Sequence, residues 1–177
     1  FQSSSFDLVL LNGVIEYAGL SHKDKPEEVQ AALFEEVRRV LKEDGLFYLA
    51  TENRFAANYF VFGRGHDGLF FSSLLPRFLA DFYSKVLKGQ GYYMREFSYP
   101  RLKKTLLGSG FRKVEFYCGV RSYNRPKKIM RLDDGRELME AARPLIRRKI
   151  GRIGLTLLVS LRLQKLFWPH FIVLCKK

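Results

Sequence analysis

Polar side chains follow two apolar runs of the sequence, at positions where a strand of a sheet would end. These side chains are Glu16 and Tyr17 after the run 6–11, and Glu52, Asn53 and Arg54 after the run 45–51. A carboxylate, an amide and a guanidinium in one loop offer donors and acceptors that can bind sugar hydroxyls or the phosphate of a carrier. An ordinary polar loop with an internal Glu–Arg pair, and a solvated Glu16 at a helix start, are equally compatible with these residues.

His66, with Asp67 beside it, lies in a glycine-rich segment and is the residue best suited to act as a general base. An imidazole titrates near neutral pH, so it can take a proton from a weak nucleophile such as a sugar hydroxyl. A surface histidine without a catalytic role is the alternative. The other two histidines, His22 and His170, are interpreted as structural or exposed.

The first fifty residues predict the unit that would position these side chains. Phe6–Leu11 is a short apolar run that ends at Asn12-Gly13, which is typical of a strand buried on both faces. Pro26 begins an amphipathic helix that stops before Gly45, and 45–51 is a second apolar strand. Strand, crossover helix and strand make a parallel βαβ unit, and open α/β sheets bind ligands at the carboxyl ends of their strands. The loops after both strands are therefore where function is expected.

The remaining segments predict further helices and a return to the sheet. We expect a helix from about Ser73 to Lys88 with Ser72 or Ser73 as N-cap, a helix after Ser98, a strand over 112–118, a helical region from Asp133 and a final strand over 167–175. Pro144, Gly151 and Gly154 argue against one unbroken helix in that helical region. The aromatic residues from Phe55 to Phe71 either form the walls of an acceptor pocket or, for most of them, belong to a core beneath a long loop.

Composition indicates one folded domain. The chain has 177 residues, 47% of them hydrophobic, which excludes intrinsic disorder. Its two cysteines, Cys118 and Cys175, have no spacing typical of a metal or redox site. No apolar stretch is long enough to span a membrane, and the first residues lack the features of a signal peptide. A reduced, cytoplasmic protein is therefore expected.

Positive charge is concentrated in the second half of the chain. Lys and Arg number 31 against 18 Asp and Glu, and from Ala141 onward there are nine basic residues and no acidic one. An amphipathic segment on an anionic membrane surface would use Arg143, Arg147, Arg148, Lys149 and Arg152. RNA is a competing partner because arginine neutralises phosphate in either setting, but no aromatic RNA-binding signature occurs, and nucleic acid is the less favoured partner. A solvated basic helix face is the third interpretation.

Three stretches together resemble the C-terminal half of a class I S-adenosylmethionine-dependent methyltransferase. They are Ser5–Tyr17, similar to the family's fourth strand and following loop, Glu36–Phe47, similar to its helix into the fifth strand, and Leu106–Val114, similar to the approach to its sixth strand. The resemblance implies a Rossmann-like α/β fold: the C-terminal half of the sheet, with an antiparallel last strand and an inserted helical segment. It makes residues 1–177 the C-terminal part of a methyltransferase domain, with an acceptor-facing insertion over 52–97 and a basic amphipathic helical region over 133–166.

The same resemblance implies S-adenosylmethionine as cofactor and gives roles to the loop residues. Asn12, Gly13 and Val14 would bind the cofactor, and His66 would be the catalytic base. The acceptor would be bound by Glu16, Tyr17, Glu52, Asn53, Arg54 and Phe55. No metal site is expected.

Several shorter sequence segments resemble those of bacterial methyltransferases from surface-polysaccharide and O-antigen gene clusters. They are Thr51–Phe55, Gly65–Asp67, Phe97–Arg101 and the ending Leu166–Lys176. This resemblance implies a saccharide or lipid-linked saccharide hydroxyl as the acceptor, with the enzyme peripheral at the inner face of the membrane.

One departure separates the chain from complete class I methyltransferases. The family holds its cofactor with a glycine-rich loop after its first strand and an acidic residue at the end of its second, whereas this chain begins at what resembles the fourth strand. Gly63-Arg64-Gly65 and Gly108-Ser109-Gly110 do not substitute, because neither lies between a buried strand and its following helix. We therefore expect a cofactor-binding N-terminal half in the intact enzyme, a partner chain that completes the sheet, or a non-catalytic half-domain that binds a partner or a membrane surface.

Overall fold

The computed structural model describes residues 1–20, 25–63, 65 and 67–177. Its strands are β1 (Phe6–Asn12), β2 (Leu41–Glu52), β3 (Lys113–Gly119), β4 (Ile129–Arg131) and β5 (His170–Lys176). Its α-helices are α1 (Pro26–Val40), α2 (Ala57–Phe62), α3 (Arg77–Lys88), α4 (Tyr99–Gly108), α5 (Gly135–Ala142), α6 (Lys149–Ser160) and α7 (Gln164–Phe167). Short 3₁₀ turns cover Ile15–Tyr17, Ser72–Leu74 and Arg143–Leu145.

The five strands form one mixed sheet in the order β1-β2-β5-β3-β4. β1 and β2 are parallel and joined by α1, which confirms the predicted βαβ unit. β5 is antiparallel to both β2 and β3, so the predicted antiparallel last strand is also confirmed. The α/β class is that of a Rossmann-like sheet. In this arrangement Glu52 pairs with His170, so the carboxyl ends of β1 and β2 lie at the same edge as the start of β5.

Aromatic side chains from several elements form the core on one side of the sheet. Phe34 of α1 lies 6.0 Å from Phe47 of β2, and Phe47 stacks on Phe111 at 5.5 Å between ring centroids. Leu138 of α5 and Leu155 of α6 join the same buried cluster. Burial of such side chains stabilises a fold by roughly 1.5–3 kcal/mol each, which attaches the C-terminal helices to the sheet.

The expected burial of β1 on both faces is wrong. Leu8 is 48% exposed and Leu10 is 61% exposed. The strand forms the edge of the sheet, and none of the described elements packs over the face that carries these two residues. The apolar run therefore predicted correctly that this segment is a strand. It did not predict that the strand lies at the edge of the sheet with one face exposed.

The helix expected from Ser73 begins four residues later, at Arg77. Ser72–Leu74 forms a 3₁₀ turn, and Leu75 is extended before Pro76. A proline disfavours the helical conformation of the residue before it, so the helix starts only after Pro76. Ser98 is the N-cap of α4 as predicted, and β4 and α2 were not predicted.

The basic region is divided into separate helices at its proline, as predicted, whereas Gly151 and Gly154 lie inside α6 and do not interrupt it. Pro144 lies in the 3₁₀ turn Arg143–Leu145, which separates α5 from α6. Among the helices of the described residues, none is both long and apolar enough to cross a membrane.

Candidate functional site

The loop after β1 turns sharply beside the end of β2. The amide of Gly13 donates to the carbonyl of Ala50 at 2.8 Å, and Gly13 has a φ of +66°, which favours glycine. A Cβ at this position would lie 3.0 Å from the hydroxyl of Tyr123. Asn12 and Val14 on either side are exposed. The three residues predicted to bind the cofactor therefore form an accessible turn at the carboxyl edge.

Glu16 ties this turn to β2 and is not the solvated residue that the sequence also allowed. The side chain is 2% exposed, and its Oε1 accepts hydrogen bonds from the Thr51 hydroxyl and, at 2.9 Å, from the amide of Glu52. Its Oε2 is buried and has no hydrogen-bond partner among the residues that the structure describes. An unsatisfied buried carboxylate oxygen is costly, so a cationic or hydrogen-donating ligand at this position would stabilise the site.

Tyr17 stands at the mouth of the same turn with 40% of its surface exposed. Burial of the rest of the ring and the negative charge of Glu16 raise its pKa, with smaller contributions from Tyr93 and Glu52. The phenol therefore stays protonated at neutral pH and can donate a hydrogen bond to a bound group.

Glu52, at the end of β2, is the centre of a larger cluster. The hydroxyl of Tyr59 donates to Glu52 Oε2 at 2.6 Å and lies 3.3 Å from Oε1 of Glu96. The negative charge of Glu52 contributes to the raised pKa values of Tyr59, Glu96 and Tyr123. Glu52 is half-buried, whereas Glu96 is 1% exposed.

The Tyr59 hydroxyl lies between two carboxyl groups. It donates to Glu52 Oε2 at 2.6 Å, and Glu96 Oε1 is a second acceptor at 3.3 Å. Burial raises the pKa of Glu96 and the Glu52 charge raises it further, whereas the hydrogen bonds from Ser73 and Tyr59 lower it. Tyr59 therefore links Glu52 to Glu96.

Ser73 and Tyr92 complete the surroundings of Glu96. The Ser73 hydroxyl donates to Glu96 Oε1 at 3.1 Å, and the Tyr92 hydroxyl donates to Oε2 at 3.3 Å. Glu96 and Tyr59 were missed by the sequence analysis. Neither follows a strand, and an acid and a tyrosine 37 residues apart give no signal until the insertion folds over the end of β2.

His170 has a structural role, as predicted. Its ring nitrogen Nε2 lies 3.0 Å from the carbonyl oxygen of Gly119, and the ring lies 5.5 Å from that of Tyr123. Burial lowers the pKa of His170 and raises that of Tyr123 to about 12, so both are neutral at pH 7. Tyr123 thus contacts both His170 and the β1 turn at Gly13.

Asn53 and Arg54 bind other parts of the protein. Asn53 is buried, and its amide nitrogen donates to the carbonyls of Leu166 at 2.7 Å and Trp168 at 2.8 Å. Arg54 donates to the carbonyls of Ser73 at 3.0 Å and Leu75 at 2.7 Å. Its guanidinium also lies 5.2 Å from the ring centre of Phe55, which is half-buried. These contacts hold the end of β2 and the insertion in place around Glu52.

The predicted base His66 lies outside the described residues, and its role stays a prediction. Its neighbour Asp67 is buried and accepts hydrogen bonds from the Ser72 hydroxyl at 2.9 Å and the Leu69 amide at 3.2 Å. Of the aromatic residues in this segment, Tyr59 is buried, whereas Phe60, Phe70 and Phe71 are about half exposed. Neither the pocket interpretation nor the core interpretation applies to all of them.

A comparison with family models matches residues 1–49 to the family described as Methyltransferase domain. This segment contains β1, α1 and the turn with Glu16. The match supports the predicted methyltransferase class and, with it, S-adenosylmethionine as the cofactor. A search of curated proteins gave no significant match.

Among the solved structures with a similar fold are three S-adenosylmethionine-dependent methyltransferases. The chain aligns over its full length with the enzyme from Thermotoga maritima at 14% identity and a TM-score of 0.48, covering 58% of that chain. For the Archaeoglobus fulgidus enzyme the identity is 14%, the TM-score is 0.47 and 62% of that chain is covered. For the Mesorhizobium loti enzyme the identity is 17%, the TM-score is 0.45 and 64% of that chain is covered. The chain thus spans less than two thirds of the length of these structures. At such low identities and TM-scores the fold class rests on the strand order and directions described above.

Proposed function

We propose that the protein transfers a methyl group from S-adenosylmethionine to a hydroxyl of a saccharide or lipid-linked saccharide, at the carboxyl ends of β1 and β2. The observation that carries this proposal is the position of the Glu96–Tyr59–Glu52 chain at that edge, beside the turn that carries Glu16. Open α/β sheets bind their ligands at this edge.

The turn after β1 suits one side of the cofactor. S-adenosylmethionine supplies an electrophilic methyl group on a positively charged sulfonium, and its amino group is a second cation. The buried Oε2 of Glu16 lacks a partner among the described residues and is the kind of acceptor that a cation requires. Asn12, Gly13 and Val14 would hold the cofactor along this turn, where two of the three are exposed.

Glu52 is proposed as the group that receives the acceptor's proton. A sugar hydroxyl is a weak nucleophile and needs a base positioned next to it. Tyr59 fixes the orientation of the Glu52 carboxylate through the 2.6 Å hydrogen bond, so that Glu52 takes up the single proton that the acceptor hydroxyl loses as its oxygen is methylated. His66 remains the other candidate base, and the two are distinguished by mutation.

A saccharide fits the other groups around Glu52. Sugar hydroxyls pair with carboxylates and phenols, and sugar faces pack on aromatic rings. The half-exposed Tyr17, the Glu52 carboxylate and the half-buried Phe55 provide these groups. We propose that Asn53 and Arg54 act on the acceptor by positioning this edge, since their polar atoms bond to backbone carbonyls.

The exposed edge of β1 is the kind of strand edge to which further strands of a larger sheet can be added. A parallel strand with apolar residues on an open face normally pairs with a neighbour and is covered by a helix. Leu8 and Leu10 lie on such a face. We propose that further strands complete the cofactor site on this side, from an N-terminal half of the domain or from a partner chain.

The decisive experiment compares two substitutions in the same strand of the full-length protein. Glu52→Gln removes the proposed base, whereas Glu43→Gln changes an exposed carboxylate at the opposite end of β2. We measure S-adenosylhomocysteine formation with a panel of hexoses, deoxyhexoses and their nucleotide-diphosphate conjugates, and cofactor affinity by calorimetry. Glu52→Gln should lower turnover by about 10²-fold or more and change cofactor affinity less than twofold. Glu43→Gln should change neither.

Two results would contradict the proposal in different ways. Full turnover by Glu52→Gln, with loss of turnover in His66→Ala, would transfer the role of base to His66. Absence of any cofactor binding by the full-length protein would reject methyl transfer altogether and leave the non-catalytic binding module.

A further inference from the structure

α6 and its C-cap residue Leu161 present a stripe of large aliphatic side chains to solvent. The exposed fractions are 77% for Ile150, 52% for Ile153, 56% for Leu157 and 63% for Leu161. Their spacing of three or four residues places them on one face of the helix. Leu155 is the buried residue of this helix, and it lies on a different face. The stripe is therefore not part of the core.

Basic side chains border this stripe. Arg143, Arg147, Lys149 and Arg152 line an open groove together with Ile153, Thr156 and Leu157. Glu140, at the end of α5, is the carboxylate that borders a neighbouring groove with Arg143 and Arg152. After Ala141 the sequence contains no further acidic residue. Among the described residues that line these two grooves, the basic side chains outnumber the one carboxylate, Glu140.

We propose that α6 lies on the surface of an anionic phospholipid bilayer. The stripe from Ile150 to Leu161 would enter the boundary between headgroups and acyl chains, and the bordering cations would contact lipid phosphates. A helix with one aliphatic face and adjacent Lys and Arg binds such surfaces through burial of apolar area and through attraction between opposite charges. This inference does not depend on methyl transfer.

The charge pattern favours a bilayer over the other occupants. Two copies of the chain meeting through this face would bring the cations of both copies together, which costs free energy. RNA would pair with the cations but would not cover four exposed aliphatic side chains, since proteins bind RNA through its phosphates and stacked bases. An anionic bilayer is complementary to both features.

The test measures flotation of the full-length protein with two kinds of vesicle. One is phosphatidylcholine alone, and the other is phosphatidylcholine with about 30% of the anionic lipid phosphatidylglycerol. Binding should require the anionic lipid. The double variant Ile150→Ser/Leu157→Ser should bind at least about tenfold more weakly, because two partly inserted side chains are lost. Its matched control is Leu107→Ser/Ile129→Ser, which removes side chains exposed by 45% and 47% elsewhere and should change binding less than twofold.

A second pair of variants separates local contacts from overall charge. Arg147→Gln/Arg148→Gln should weaken binding about tenfold or more, whereas Lys103→Gln/Lys104→Gln, with the same loss of charge on exposed positions of α4, should have a much smaller effect. Circular dichroism verifies that all variants fold. Equal losses in both pairs would overturn the proposal, since binding would then follow net charge. Absence of vesicle binding, preferential binding to RNA, or self-association abolished by Ile150→Ser would overturn it as well.

Discussion

Asn53→Ala tests whether the end of β2 is held by the amide contacts that position Glu52. Asn53 donates two hydrogen bonds to the carbonyls of Leu166 and Trp168, and its Oδ1 accepts one from the amide of Phe55 at 3.1 Å. Asn53 is 0% exposed; its bond to Trp168 is buried and the other two bonds are partly buried. The substitution therefore leaves three backbone groups without their partner.

The magnitude follows from the number of bonds lost. A hydrogen bond contributes about 1 kcal/mol net, and an unsatisfied buried group costs more, so three lost bonds predict a destabilisation of about 3 kcal/mol. With a urea dependence of about 2 kcal/mol per molar, the unfolding midpoint should fall by about 1.5 M. Equilibrium unfolding of the full-length protein in urea, followed by circular dichroism, measures this shift. Asn58→Ala, at an exposed position of α2, is the matched control and should stay within about 0.5 kcal/mol of the wild type.

A shift below about 1 kcal/mol would refute the structural role of Asn53. If the same variant raised the acceptor KM without changing stability, Asn53 would instead bind the acceptor directly, as the sequence first suggested. A loss of stability with an unchanged acceptor KM in the remaining folded protein would confirm the positioning role.

The buried acid and the two thiols give further predictions. Because the pKa of Glu96 is raised on folding, its contribution to stability is present below the ordinary carboxyl pKa and is lost as pH rises through its folded pKa. Glu96→Gln should therefore be more stable than wild type at high pH, and its free energy of unfolding in urea should change less between pH 4 and 8. The control Glu140→Gln, at an exposed position, should follow the wild type. If the free energies of unfolding of wild type and Glu96→Gln had the same pH dependence, the raised pKa would be contradicted. Burial raises the pKa of Cys118 and of Cys175 to about 12, so neither thiol should react with a disulfide reagent at pH 8 until urea unfolds the protein, and rapid reaction of the native protein would contradict their burial.

Local patterns predicted most of the elements. A short apolar run, a proline-initiated amphipathic helix and a second apolar run specified the parallel βαβ unit, because alternation and helical periodicity are properties of neighbouring residues. The final strand was predicted for the same reason, although it begins at His170 and Phe167 ends α7. The start of α3 was misplaced because the effect of Pro76 on Leu75 opposes the capping preference of Ser73.

The sequence by itself determined which residues lie at the carboxyl edge, since Glu16 and Glu52 follow the runs that became β1 and β2. The tertiary structure alone decided what they do there. Glu16 became a buried bridge to Thr51, and Glu52 became the partner of Tyr59 and, through it, of Glu96. These contacts join positions far apart in the chain, and hydrogen bonds between such positions depend on how the insertion packs on the sheet. Short-range patterns of residue type contain no information about that packing.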